Sequence, residues 1–294
     1  MDTTESAGRK GTALMVAGGA VLGTVGVFVE QAGQAPFTAV WFRCAFGATA
    51  LWLWGALRNR NGELWLRGRA LAAAIATGLL MTANWALFFA ALDRTSIAVA
   101  TVVFHVQPVW VMAAGVLWLG ETFSRIRALA TALALAGLVL ATGLLEDHGT
   151  VSASYVLGLL MCLGGSLAYA AVTLIAKTAA GASSFALAWW QCVVGAIALA
   201  WWPLAHGLPA FGAAWGWLAG LGVIHTGLAY VLLYAGMSLL PASRIAVLQF
   251  VYPGCAVAMD WLVYGRALSA AQMVGMLLIG VAQFLRINRA RGER

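Results

Sequence analysis

Apolar residues run through this chain in blocks of about twenty, divided by short polar turns. One block, Thr95 to Gly120, holds 26 residues without a charge. At ~1.5 Å per residue, that is enough helix to cross a hydrocarbon core of ~30 Å. A second uncharged stretch, Thr178 to Ser243, covers 66 residues and is divided at Pro203 to Pro209. Read in this way, the pattern predicts ten helices, over about 12–31, 37–57, 70–92, 96–118, 125–145, 155–177, 184–203, 213–237, 243–263 and 269–287.

The blocks also repeat. Phe104-His105-Val106-Gln107-Pro108 is echoed 145 positions on by Gln249-Phe250-Val251-Tyr252-Pro253. Each proline sits mid-block, where it removes a backbone donor and bends the helix. Each is followed twelve residues later by glycine (Gly120, Gly265), then by Ser124 or Ser269. Trp85 matches Tyr230 at the same offset, Gly18-Gly19 matches Gly164-Gly165 at 146, and Trp41-Phe42-Arg43-Cys44 matches Trp189-Trp190-Gln191-Cys192 at 148. The chain therefore reads as one unit used twice, residues 1–148 and 149–294. Five helices per unit is an odd number, so the second unit must enter the membrane from the opposite side. Such inverted repeats are a device of secondary transporters.

Composition agrees with an all-α integral membrane protein. The chain is 63% hydrophobic and 9% charged, against ~25% charged in soluble domains. A net charge of +7 would point to nucleic acid in a soluble protein. Here it is better read as an orientation signal. With a cytoplasmic N-terminus, 14 of the 17 Lys and Arg fall on the inner side: Arg9, Lys10, Arg58, Arg60, Arg67, Arg69, Arg125, Arg127, Lys177, Arg244, Arg286, Arg289, Arg291 and Arg294. Arg94 and Arg266 fall outside, and Arg43 lies within a span. This bias places both termini in the cytoplasm, with Glu146-Asp147 on the outer side. The run Gly11 to Val29 exceeds the ~7–15 residues of a cleaved signal core, so an uncleaved first helix is expected. The four cysteines (Cys44, Cys162, Cys192, Cys255) lie in apolar blocks without a CxxC, as packing residues do.

Polar side chains at mid-depth need partners or a cavity, because lipid offers them none. Phe104 and Gln107 share a helical face, as do Gln249 and Tyr252 at the equivalent positions, and the two faces should meet at the centre. On a continuous helix His105 lies ~200° from Gln107, so both cannot face one cavity. Symmetry favours Gln107, while His105 could titrate near neutral pH or bond a carbonyl freed by Pro108. Asn84, Trp85 and Tyr230 could wall a pocket for an amphipathic solute, or simply pack. Ser166, Tyr169 and Thr173 share one face of the sixth span. Gly18, Gly19, Gly23 and Gly26 allow close helix approach. Glu30 and Arg43 fall near the outer ends of the first two spans, as a neutralised rim pair or a gate. Histidines 105 and 225 are the candidates for proton coupling. No Walker loop, HExxH or paired mid-depth carboxylate occurs, so no enzyme, cofactor or metal is expected.

The segments Gln107-Pro108…Leu119-Gly120-Glu121-Thr122-Phe123-Ser124 and Tyr252-Pro253…Tyr264-Gly265-Arg266-Ala267-Leu268-Ser269 resemble the paired EamA modules of the drug/metabolite transporter superfamily, over nearly the whole chain. The second module has Gly265-Arg266 where the first has Gly120-Glu121. Length and the Trp-rich composition are similar to the aromatic amino-acid exporter branch. The resemblance implies ten transmembrane helices, with the first four of each half around a central cavity and the fifth peripheral. It implies an inner-membrane secondary transporter exporting amino acids, aromatic ones included, and other small amphipathic metabolites by alternating access. Asn84, Trp85, His105, Gln107, Tyr169, Tyr230, Gln249 and Tyr252 are the candidate solute contacts; partners are the solute and the bilayer, not nucleic acid. Alternatives are a drug or nucleotide-sugar transporter of the same fold, a membrane-embedded enzyme and a channel. Oligomeric state and energy coupling are open at this point.

Overall fold

The computed structural model describes residues 3–92, 94–95, 97–141, 152–265 and 269–289. The Glu146-Asp147 turn and Arg266 lie outside them. Among the described residues the fold is wholly helical. The elements are α1 (Thr3–Gly23), α2 (Val25–Ala32), α3 (Pro36–Leu57), α4 (Gly68–Leu92), α5 (Ile97–Phe104), α6 (Gln107–Trp118), α7 (Arg125–Ala141) and α8 (Ala153–Thr178). They continue as α9 (Ser184–Ala198), α10 (Trp201–His206), α11 (Ala213–Gly220), a π-helical stretch Leu221–Leu228, α12 (Ala229–Ser238), α13 (Ala242–Leu248), α14 (Val251–Tyr264) and α15 (Ala270–Arg289).

Seven continuous or bent helices among these are long and apolar enough to cross a membrane: Ser6–Ala32, Pro36–Leu57, Gly68–Phe88, Ala153–Thr178, Ser184–His206, Ala213–Ser238 and Ala242–Tyr264. Val102–Trp118 and Ala270–Ala282 are shorter apolar helices. This is the build of a multi-pass membrane protein. Their outward faces carry Trp52, Leu117, Leu160 and Leu277, all more than half exposed except Trp52 at 50%. In a bilayer these side chains meet lipid, not water.

Local sequence explains the ends. Pro36 opens α3 at a position where its missing N–H costs nothing. Ser152 and Ser183 cap α8 and α9 by accepting from Tyr155 N and Ala186 N, at 3.1 and 3.2 Å. The long uncharged stretch divides within Pro203 to Pro209, as expected, though the helical run passes Pro203 itself. That proline falls in the first turn of α10, which carries the helical run on to His206.

Packing brings distant parts of the chain together. The α4 helix lies along α8 and α9, α12 along α1, and the π stretch along α3. The pair α7 and α15 is packed antiparallel: Gly137, late in α7, meets the carbonyl of Gly275, early in α15. Met15, Cys44, Met81, Phe185, Cys192 and Tyr234 belong to the largest buried cluster, which joins α1, α3, α4, α8, α9 and α12.

Candidate functional site

The two proline-bearing spans are broken, not merely bent. In one, α5 stops at Phe104 and α6 restarts at Gln107; in the other, α13 stops at Leu248 and α14 restarts at Val251. The cause is local. Pro108 and Pro253 have no N–H for the carbonyls of Phe104 and Gln249, and their rings crowd those oxygens. Tighter bonds close the breaks, Val106 N to Val103 O at 3.2 Å and Phe250 N to Val247 O at 3.3 Å. Gly120 and Gly265, the glycines that follow, both hold left-handed backbone (φ 65° and 62°), which ends each helix where a Cβ would be strained.

Both breaks point at α8. Gln107 and Gln249 each donate from Nε2 to Thr173 Oγ1, at 3.3 and 3.2 Å, and that hydroxyl donates to Tyr169 O at 3.0 Å. All three side chains are buried, and Gln249 Oε1 has no acceptor bond filled by any described residue. Around them the rings pair: Phe104 stacks on Tyr169 (centroids 6.0 Å, planes 15° apart), and His105 on Tyr252 (5.8 Å, 28°). His105 and Gln107 therefore both reach the second half. The ~200° separation expected on a continuous helix does not apply, because the chain turns between them. Tyr169 and Tyr252 lie near the middle of their spans, yet are only half-buried.

A second group lies toward the other end of α3. Arg43 is seven residues into that helix, ~10 Å along its axis. It stands well inside the helix, clear of the first turn. Its side chain is 8% exposed, Nε donates to Thr226 Oγ1 at 2.8 Å, and the guanidinium lies 4.7 Å over the Trp85 ring. Glu30, the expected rim partner, is exposed at the end of α2. The π stretch makes the Arg43 bond possible. Thr226 donates to Leu221 O, five residues back, at 2.9 Å, which turns its hydroxyl oxygen toward α3. Gly222 admits α3 closely; a Cβ there would stand 2.8 Å from Gly47 N and 3.0 Å from Arg43 O. His225 meets Thr24 Oγ1 at 2.8 Å, in the gap between α1 and α2. Arg43 is also within electrostatic reach of Tyr169, Tyr230 and Tyr252.

Asn84 does other work: its Nδ2 donates to Gly165 O at 2.9 Å and ties α4 to α8. Tyr230 places its hydroxyl 3.9 Å from Met81 Sδ, one turn from Trp85.

The α3–α9 crossing shows contacts that mirror one another at an offset of 148. Trp41 Nε1 donates to Ala196 O, and Trp189 Nε1 to Ala48 O, each at 3.1 Å. Cys44 Sγ lies where a Cβ on Gly195 would go (2.7 Å), and Cys192 Sγ where one on Gly47 would go (2.9 Å). Early residues of each helix meet late residues of the other, so α3 and α9 run antiparallel. The residue matching Arg43 is Gln191, fully buried, whose Oε1 accepts from Tyr234 Oη.

At the opposite end of α3, with Arg60 and Lys177, lies a cavity of ≈ 370 Å³ lined also by Ser183, Phe185, Val231 and Ser238. Ala176, Leu187 and Ala235 in its wall stand within a turn of Thr173, Gln191 and Tyr234. Beside it, Glu121 crosses between the halves. Its carboxylate accepts from Ala242 N (2.7 Å) and Ser243 N (3.3 Å), the free amides opening α13, and lies 3.7 Å from Lys177 Nζ. Lys177 donates to Leu240 O at 3.0 Å and Arg127 to Ser243 Oγ at 2.8 Å. Among the described residues no cluster of His, Cys, Asp or Glu could hold a metal.

Sequence reasoning noted Thr173 but not its role as the shared acceptor. The signal was present, since its face carries Tyr169 one turn earlier. It missed Gln191, which the 148 offset aligns with Arg43, and gave Glu121 no contact.

Comparison with known proteins agrees with this build. The model of the EamA-like transporter family matches the chain twice, at residues 9–143 and 156–287. The "Uncharacterized transporter YxxF" of Bacillus subtilis (strain 168) is 26% identical over 304 residues, covering 99% of this chain and 94% of that protein. An "Uncharacterized transporter" of Archaeoglobus fulgidus is 29% identical over 276 residues, covering 93% and 95%. A solved crystal structure superposes with a TM-score of 0.83 at 17% identity, over 96% of this chain and 98% of that one.

Proposed function

The chain belongs to the EamA-like transporter family, and from that premise we propose that it exports amino acids, aromatic ones included, across the bacterial inner membrane by alternating access. The observation that carries the reading is the meeting of Gln107 and Gln249 on Thr173, where two broken helices from different halves face α8. Broken helices free polar backbone and side chains at membrane depth, which is where secondary transporters hold their solutes. Phe104, Tyr169, His105 and Tyr252 surround that point with rings suited to an aromatic side chain.

In this reading ten spans form two inverted halves, 1–148 and 149–294, with both termini cytoplasmic. The antiparallel α3–α9 crossing, the mirrored indole bonds and the twofold family match all support it. Glu121 and Lys177 then sit at the cytoplasmic end, with the cavity opening there. His105 and His225 are the titratable groups available for proton coupling.

Uptake of labelled phenylalanine into proteoliposomes, with and without a pH gradient, tests the reading. Saturable flux is expected, stimulated by the gradient if protons are coupled. Gln107→Ala or Gln249→Ala should raise the half-saturating concentration by about tenfold, the value of one lost hydrogen bond in a desolvated site. Absence of flux for every amino acid removes the proposal. Thiol labels introduced near Arg67 and Arg244 should both react from the cytoplasmic side; opposite sides would remove the inverted arrangement.

A further inference from the structure

We infer that Arg43 is an anion subsite, which binds the carboxylate of the transported solute while the rings near Tyr169 and Tyr252 take its apolar part. The inference rests on the transport reading above and specifies the solute's chemistry.

Three observations lead to it. First, the charge has no counter-ion. Among the described residues the ion pairs are Arg60 with Glu63 and Lys177 with Glu121, and Arg43 spends one N–H on Thr226 and its face on Trp85. The remaining guanidinium N–H groups have no acceptor in any described residue, though the side chain is 92% withdrawn from the surface (8% exposed). A buried cation without a paired anion is costly, and within a membrane span it marks a functional site.

Second, packing does not demand the charge. Gln191 occupies the matching place on α9, in the same reciprocal crossing, and fills it with a neutral amide. The fold therefore accepts a neutral residue at this station, and the guanidinium on α3 answers another need.

Third, the group is held ready. Thr226 and Trp85 fix one edge and one face of the guanidinium, leaving the fork of Nη1 and Nη2 to a planar acceptor. Carboxylates match that fork with two parallel hydrogen bonds. Gln249 Oε1, buried and unfilled, is an acceptor that an ammonium group could take. A zwitterion bearing an aromatic side chain satisfies both.

The test uses the full chain in lipid nanodiscs and two probes that share a phenethyl group and carry opposite charge, 3-phenylpropionate and phenethylamine. Calorimetric titration of the wild type should show binding of the carboxylate and none of the amine. Arg43→Gln should weaken 3-phenylpropionate binding by at least about tenfold, and Arg43→Lys by less, because a point charge replaces the fork. Thr226→Val, which keeps the charge but releases Nε, should weaken it about threefold. It and Arg43→Lys carry the test if Arg43→Gln does not fold. Equal affinity for the two probes, an unchanged Kd in Arg43→Gln, or no binding of 3-phenylpropionate to the wild type overturns the subsite. If 3-phenylpropionate binds as expected but no amino acid is transported, the export reading falls and the subsite stands. If phenylalanine is transported and its amide competes equally, the subsite falls and export stands.

Discussion

The α3–α9 crossing and the Glu121 junction both tie the first half of the chain to the second, with opposite chemistry. At the crossing the ties are neutral: two indole–carbonyl bonds and sulfur atoms seated on glycines. At the junction they are ionic: a carboxylate on two helix-opening amides, a lysine beside it and an arginine on Ser243. Deep in lipid, no water replaces a broken indole bond, so separating the crossing leaves unpaired groups at several kcal/mol each. At the helix ends water can take over every partner that Glu121, Lys177 and Arg127 release. On the alternating-access reading proposed above, the crossing is the candidate pivot and the junction the candidate latch.

The largest expected effect is at the latch. Glu121→Ala strips the acceptor from Ala242 N and Ser243 N together and leaves Lys177 with Leu240 O alone. Losing charge-assisted bonds of this kind costs about 2 kcal/mol, roughly thirtyfold in the opening equilibrium. Amide hydrogen exchange should accelerate by about that factor at the start of α13 and little in α3 or α9. Exchanging the charges, Glu121→Lys with Lys177→Glu, should not restore protection. The amides opening α13 need an acceptor within 3.3 Å, and the 3.7 Å ion pair is secondary. Full restoration by the exchange would reverse that order and make the latch a simple ion pair.

Next in size are the two indole bonds of the pivot. Trp41→Phe and Trp189→Phe each delete one N–H donor while keeping most of the ring. Each removes a side-chain bond between the two helices and should lower stability by about 1 kcal/mol. Because the two sites mirror one another, their stability losses, read from thermal unfolding in detergent, should agree to within about 0.5 kcal/mol. A clear difference would mean that the mirrored geometry does not carry equal energy, and that one half dominates the pivot.

How far such features could be read from the chain depends on their range. The α3, α4 and α8 boundaries fall within two residues of those expected, because charges and caps flank them: Arg58 after α3, Arg67 and Arg69 around the start of α4, Lys177 at the end of α8. The sites of distortion at Pro108 and Pro253 are legible because proline acts on its own preceding turn, but the sequence predicts a bend there and the structure has a break. The burial of Arg43 is not legible, because helix position says nothing of which way a long side chain turns. Its partner is offered by a π stretch whose five-residue bond no hydrophobic period reveals. Asn84 looked like a solute contact for the same reason; only the neighbouring Gly165 carbonyl, 81 residues away, spends its amide. Glu121 and the opening of α13 are 121 residues apart, and nothing local to either announces the other.

The smallest effect separates charge from position. Arg60 and Glu63 lie at the same end as the latch and are also ionic, with Nε to Oε1 at 2.5 Å and Nη2 to Oε2 at 2.9 Å. Both belong to the α3–α4 turn and cap no helix of the other half; Arg60 only rests on Trp54 and Phe185. Arg60's hydrogen bonds hold the Glu63 carboxyl below its ordinary 4.5, against partial burial, with the Ser183 hydroxyl adding to the effect. A carboxyl lowered on folding stabilises the protein fully above 4.5 and loses that contribution as pH falls through its folded value. Solvent screens an exposed pair of this kind, so Glu63→Gln should cost less than about 0.5 kcal/mol at neutral pH. The gap from wild type in thermal midpoint should close as pH drops below 4.5. If Glu63→Gln instead costs as much as Glu121→Ala, charge alone governs this end of the bundle, and the distinction between a latch that caps α13 and an ordinary surface pair is lost.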